Sequence, residues 1–83
     1  MFATIYTERR CSFDLRFSSP VGTFRIVPYQ NRFQLWIGYD VVGVYPSAVA
    51  AADDVYVHVT GYDRWDDSTF EAPTDIYEWE VLR

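Results

Sequence analysis

Cys11 and His58 are the single cysteine and the single histidine of this chain, and with them the raw material for nucleophilic chemistry is nearly exhausted. An activated nucleophile needs a base within hydrogen-bond reach and a third group to orient that base. Nothing in the sequence around Cys11 and His58 suggests that they meet. Arg9 and Arg10 beside Cys11 are of the kind that lowers a thiol pKa, yet a spare thiol is the plainer reading. A closed zinc site takes four Cys, His or acidic ligands, so one Cys and one His are too few. The acids Asp63, Asp66, Asp67 and Glu71 offer oxygen ligands for calcium or magnesium. An EF-hand loop requires acids at alternating positions, however, and Trp65 stands where one is needed. A solvated acidic loop is the better reading, and adjacent exposed aspartates lack the buried, raised-pKa partner of an acid-base pair. The four glycines are scattered and make no phosphate-binding loop. The expectation is no catalytic residue, no metal ligand and no cofactor.

Arg16, Arg25, Gln34 and Trp36 form the one constellation with binding chemistry. Two guanidinium groups and an indole on a flat surface can grip phosphates or stack on a base or a partner's side chain. Their placement depends on strands. Phe13, Leu15 and Phe17 alternate with Asp14 and Arg16; Phe24 and Ile26 flank Arg25; Phe33, Leu35, Ile37 and Tyr39 alternate with Gln34, Trp36 and Gly38. Successive strand side chains point to opposite faces, so each run has one apolar face. If the apolar sets face a core, Arg16, Arg25, Gln34 and Trp36 face away from it. The C-terminal segment is a candidate cover for Trp36; without that cover the indole is an exposed protein contact.

Three reversals separate the strands: Ser19-Pro20-Val21-Gly22, Tyr29-Gln30-Asn31-Arg32 and Asp40-Val41-Val42-Gly43. Pro28 ends the second strand, and Val44-Tyr45 adds a stub. Such short connections join antiparallel neighbours, predicting a meander. Ser47 is an N-cap, after which Ala48, Ala52, Val55 and Val59 fall on one helical stripe flanked by Ala51 and Tyr56. Asp53, Asp54 and Ala50 fall on the far side, and Gly61 stands where a left-handed C-terminal residue is wanted. The helix is expected through Thr60, although Val55, Val57 and Val59 also alternate as in a strand. From Tyr62 to Ala72 a surface loop is expected, anchored by Trp65. Beyond Pro73, Asp75 and Glu78 resemble a capping box, whereas Tyr77, Trp79 and Val81 alternate; helix and strand both stay open there.

The 83 residues predict one domain, 1–83, and 49% hydrophobic with 19% aromatic residues excludes a disordered chain. No apolar run approaches the roughly 20 residues that span a bilayer. Residues 1–10 lack the basic-then-apolar order of a signal peptide, and one cysteine forms no internal disulfide, so a cytoplasmic location is expected. Residues 1–52 carry a net charge of +2 and residues 53–83 a net of −7, for −5 in total. That balance makes a poor polyanion ligand, and the asymmetry favours self-association.

Gly43 to Ser47, Ala51-Ala52-Asp53-Asp54-Val55, Pro73 to Ile76 and Glu78-Trp79-Glu80 together resemble a group of small uncharacterised bacterial proteins. In that group a Tyr-x-Ser step leads into an alanine-alanine helix and a Glu-Trp pair closes the domain; the resemblance spans most of the chain and implies no activity. Trp36-Ile37-Gly38, Tyr45, Ser47, Ala51-Ala52 and Tyr56 are also similar to the strand-turn-helix of the Apetala-type DNA-binding domain. That likeness covers under half the chain and implies a three-stranded sheet on a helix, with Arg16, Arg25 and Trp36 reading DNA. The acidic balance of this chain departs from the basic character of that family.

The fold expected is α+β: a three- or four-stranded antiparallel meander packed on one main helix, with a short C-terminal element. The function expected is a non-enzymatic protein-interaction module with an unknown protein partner, a homodimer included. Nucleic-acid binding through Arg16, Arg25 and Trp36, and a small acidic inhibitor mimicking a polyanion, are the alternatives.

Overall fold

Alternating sequence becomes a four-stranded antiparallel meander in the computed structural model, which describes residues 14–82: β1 (Asp14–Ser19), β2 (Gly22–Tyr29), β3 (Arg32–Ile37) and β4 (Asp40–Tyr45). The expectations placed on Arg9, Arg10, Cys11 and Phe13 lie outside the described residues. Helix α1 (Ala48–Tyr56) and a one-turn helix α2 (Asp63–Asp66) follow. A turn of 3-10 helix, Ile76–Glu78, leads into β5 (Glu80–Leu82), which pairs antiparallel with β1. The sheet order is β4-β3-β2-β1-β5, an α+β fold with one main helix.

The register puts Leu15, Ile26 and Leu35 on one line and Phe17, Phe24 and Ile37 on the next, all facing inward. Against them Ala51, Ala52 and Val55 of α1 are buried, so the small alanines bring the helix axis close to the sheet. Trp65 completes the core. It is fully buried, meets Phe24 edge-on at 5.2 Å and Phe17 at 5.9 Å, and donates its indole N–H to the Val55 carbonyl at 2.9 Å. That bond satisfies one of the carbonyls a helix leaves unpaired at its C-terminus. Truncating so large a buried ring to Ala typically costs about 3–5 kcal/mol.

The third reversal differs from expectation. Gly38 and Tyr39 make the turn, and Asp40 to Tyr45 is a full strand rather than a turn with a stub. Gly38 adopts φ +58°, which favours glycine, and its N–H bonds to the Thr23 carbonyl at 3.0 Å. Tyr39 consequently lies in the turn, 96% exposed, rather than on the apolar face. One residue too many then remains in β4. Leu35 pairs with Gly43 but Trp36 pairs with Val41, so Val42 is accommodated as a β-bulge. Strand β2 also runs one residue past Pro28, to Tyr29. The second reversal is a two-residue hairpin loop as expected, with Gln30 and Asn31 both at positive φ, the combination whose twist suits paired strands.

Helix α1 stops four residues before Thr60, and the alternating stretch after it does not form a strand either. Ser47 caps its start, accepting from the Ala50 N–H at 3.1 Å. At the other end His58, not Gly61, takes the left-handed position at φ +62°. Its N–H bonds to the Val55 carbonyl at 3.3 Å and the Val59 N–H to the Asp54 carbonyl at 3.0 Å, the paired bonds of a Schellman stop. Val59 is thereby turned out to solvent rather than into the stripe. At the C-terminus both readings are realised in succession. Asp75 caps the 3-10 turn through the Tyr77 N–H at 2.9 Å, and Trp79 sinks into the core before β5 begins.

Candidate interaction surface

Strand pairing places the sequence-predicted residues on one face. Arg16 is opposite Arg25, Arg25 opposite Trp36 and Trp36 opposite Val41, while Glu80 of β5 is opposite Arg16. One unbroken cross-strand row, Glu80–Arg16–Arg25–Trp36–Val41, therefore crosses all five strands. Cross-strand neighbours on a face lie about 5 Å apart, close enough for side chains to touch along the row. Gln34 stands in the adjacent row, between Val27 and Val44.

Contacts along the row follow from this spacing. Arg16 donates Nε and Nη2 to one carboxylate oxygen of Glu80, at 3.0 and 2.7 Å. Arg25 reaches Asp14 at 3.4 Å and lies 5.9 Å from the centre of the Trp36 ring. The Trp36 indole N–H donates to the Gln34 side-chain oxygen at 3.1 Å. Nε of Arg25 is buried without a hydrogen-bond partner among the described residues. The Arg25 side chain is thus partly buried at Nε while the rest of it stays partly exposed, and Trp36 is half-buried. Each arginine faces an acid, so the row presents no net positive charge.

The expected cover for Trp36 is not supplied by the C-terminal segment. Strand β5 joins the far edge of the sheet, beside β1, and Trp79 goes into the core on the inner face. The outward residues Arg25, Gln34, Trp36, Val41 and Val44 take no part in that core, which α1 and Trp65 complete from the other side.

The remaining candidates have structural duties. The His58 ring stacks on Trp65, with centroids 4.5 Å apart and planes 14° from parallel, and Nδ1 lies 2.9 Å from the Trp65 carbonyl. Asp66 is turned back rather than left in the solvated acidic loop. It accepts from the Thr60 N–H at 2.9 Å, the Thr60 hydroxyl at 2.8 Å and the Gly61 N–H at 2.7 Å. Burial works to raise its pKa, but these donors and the nearby His58 outweigh it and hold the carboxyl below its ordinary 3.8. Asp54, assigned above to the far side of the helix, accepts from the Tyr45 hydroxyl at 2.8 Å. Burial first, and the Asp54 carboxylate second, push the Tyr45 phenol well above its usual range. Among the described residues no three His, Cys, Asp or Glu side chains gather to hold a metal, and no helix is long and apolar enough to cross a membrane.

Sequence reasoning missed Val41 and Val44. Both are about half exposed on the outer face beside Trp36; the third turn was read over Val41, and Val44 was read only as part of a stub whose face depends on where that turn lies. The glycine at 38, flanked by Ile37 and Tyr39, was the clue to the true turn. No protein-family model, curated protein or solved structure matches this chain.

Proposed function

We propose that this chain is a protein-interaction module that receives its partner on the outer sheet face and the β4 edge, beside Trp36. The observation that carries this reading is the Arg16–Arg25–Trp36–Val41 row, which lies opposite the core-forming face and runs out at β4. A half-buried tryptophan with an arginine over its ring is the composition of interface anchors. Charged groups at one end of the row and apolar groups at the other supply both register and desolvation area.

Nucleic-acid binding is the second reading, and the ion pairs weigh against it. Glu80 and Asp14 occupy the guanidinium groups that a phosphate backbone would need, and counterion release requires unpaired cations. An acidic inhibitor mimicking a polyanion has the −7 of residues 53–83 behind it, but it assigns no role to the outer row.

Photo-cross-linking tests the proposal. A benzophenone amino acid at position 36, expressed in the source cell, forms a discrete protein adduct; the same group at Asp53, exposed on α1, does not. Equal adducts from both positions, or none from position 36, overturn it. Filter binding of single- and double-stranded oligonucleotides at low salt checks the alternative: retention that falls steeply as salt rises replaces the protein reading with the nucleic-acid one.

A further inference from the structure

Strand β4 is the last strand of the sheet on its side, six residues long, and no described residue pairs with its outer edge. Such edges are ordinarily blunted by brevity, by Pro or Lys, or by a bulge. Strand β5 at the opposite edge is blunted in this way, being three residues long and carrying the charged Glu80. Strand β4 has no Pro, Lys or Arg, and its only charge is Asp40 at one end. It does have a bulge, and the bulge changes which residues share a face.

In a regular strand Val41 and Val44, three apart, would point to opposite faces. The extra residue Val42 brings both to the outer face, opposite Trp36 and Gln34, while Asp40, Gly43 and Tyr45 share the inner face. Val42 itself packs toward the core. Consider two copies of β4 laid antiparallel about a two-fold axis between Val42 and Gly43. Val41 then meets Val44 of the second copy, Val42 meets Gly43, and Asp40 meets Tyr45. Each pair joins residues of the same face. Displacing this register by one or two residues sets an outer residue against an inner one. The bulged strand is therefore complementary to itself in one centred register.

Charge agrees with this arrangement. The two Asp40 carboxylates lie at opposite ends of the pairing, roughly 17 Å apart along the strands at 3.4 Å per residue. That separation exceeds the Debye length of about 8 Å at physiological salt, so they do not repel appreciably. The two apolar ends of the outer rows meet at the axis, with Arg16 and Glu80 kept at the periphery of each copy.

We infer that the partner received at the β4 edge is a second copy of this chain, joined strand to strand in the Val41–Val44 register. The inference rests on the reading of the Trp36 face and its edge as the interaction surface, and it names one occupant of that surface. Backbone pairing of one strand, with Val41, Val44 and Tyr39 around it, is a small interface. It makes a dimer in concentration-dependent exchange with monomer.

Sedimentation of the full chain from micromolar to millimolar concentration tests the assembly. Mass rises to that of a dimer, and Val44→Lys weakens association by at least about tenfold because the change enters twice at a two-fold interface. Near-ultraviolet circular dichroism from the core tryptophans stays unchanged, since Val44 is half exposed. Register is tested by oxidation in a Cys11→Ser background. Val41→Cys mixed with Val44→Cys gives a disulfide-linked dimer, whereas neither variant alone does. A monomer throughout the range, or equal cross-linking by the single variants, overturns the inference. A monomer that still forms the discrete adduct at position 36 removes the dimer and keeps the interaction surface; a monomer with no such adduct removes both.

Discussion

Asp66 shows how a single carboxylate holds together the chain reversal after α1. Thr60 is 4% exposed and both its N–H and its hydroxyl donate to Asp66, while the hydroxyl accepts from the Tyr62 N–H at 3.1 Å. Asp66→Ala strands these buried donors and is expected to cost about 2–3 kcal/mol, read as a lowered denaturation midpoint. The pH dependence has a definite sign. Because the folded pKa lies below the ordinary 3.8, the contribution of Asp66 is present above that value. It is lost as pH falls through the lower folded value. Acid denaturation of Asp66→Asn should lack this component, measured as a shallower loss of stability below pH 4. His58 is the complementary case. A left-handed backbone costs a non-glycine residue about 1–2 kcal/mol, which stacking on Trp65 and the bond to its carbonyl offset. His58→Gly relieves the strain but gives up the stack. Its signature is a change in the Trp65 fluorescence without loss of the helix signal in far-ultraviolet circular dichroism.

Strand β4 and helix α1 are coupled through Gly43, Tyr45 and Asp54. A Cβ on Gly43 would sit 2.8 Å from the Tyr45 ring, so the glycine is what allows that ring to lie over the strand and reach Asp54. Gly43→Ala displaces the ring and breaks the bond; Tyr45→Phe deletes only the bond, at about 1–2 kcal/mol. The two changes share one interaction, so the double variant is less destabilised than the sum of the single ones, measured in a double-mutant cycle. In alkali the sign is opposite to that of Asp66. The folded Tyr45 phenol ionises above its unfolded value of 10.0, so its stabilisation is intact below pH 10 and declines as pH rises beyond it. Tyr45→Phe should flatten that alkaline decline. At the start of α1, Ser47→Ala removes the cap on Ala50 and is expected to cost about 1 kcal/mol. Most of this level was legible beforehand. The inward apolar sets, the Ser47 cap and the Gln30-Asn31 hairpin follow from residue types alone. The length of α1 and the third turn did not, because Val57 to Thr60 carries both periodicities and Gly38 competes with Asp40 to Gly43 as turn chemistry.

At the scale of the whole molecule the sheet separates stability from binding. The core lies on the inner face, so Trp36→Ala and Arg25→Ala are expected to leave the fold intact and to abolish the position-36 face as a contact. The Arg16–Glu80 pair is exposed and worth at most about 1 kcal/mol, so Glu80→Gln changes the midpoint little. Its larger effect is on the outer row, where it frees a guanidinium; retention of oligonucleotide at low salt by that variant, and not by the parent, would measure how far the ion pair suppresses polyanion binding. Of the candidate site, Arg16, Arg25, Gln34 and Trp36 were readable because strand parity assigns them one face whatever the register. Their merger into a row was not readable, since register depends on loop lengths. Val41 and Val44 joined them only through a bulge.

Local chemistry thus decided the apolar faces of the first three strands, the Ser47 start of α1 and the Gln30-Asn31 hairpin. Periodicity and backbone stereochemistry are properties of a few neighbouring residues, so the chain carries them without a fold. Tertiary structure alone decided that β5 lies beside β1 and away from Trp36, that Asp66 turns inward, and that β4 ends the sheet with Val41 and Val44 outward. Each of these depends on where distant segments find room to bury apolar area and pair their backbone groups, and that competition is settled only when the whole chain packs.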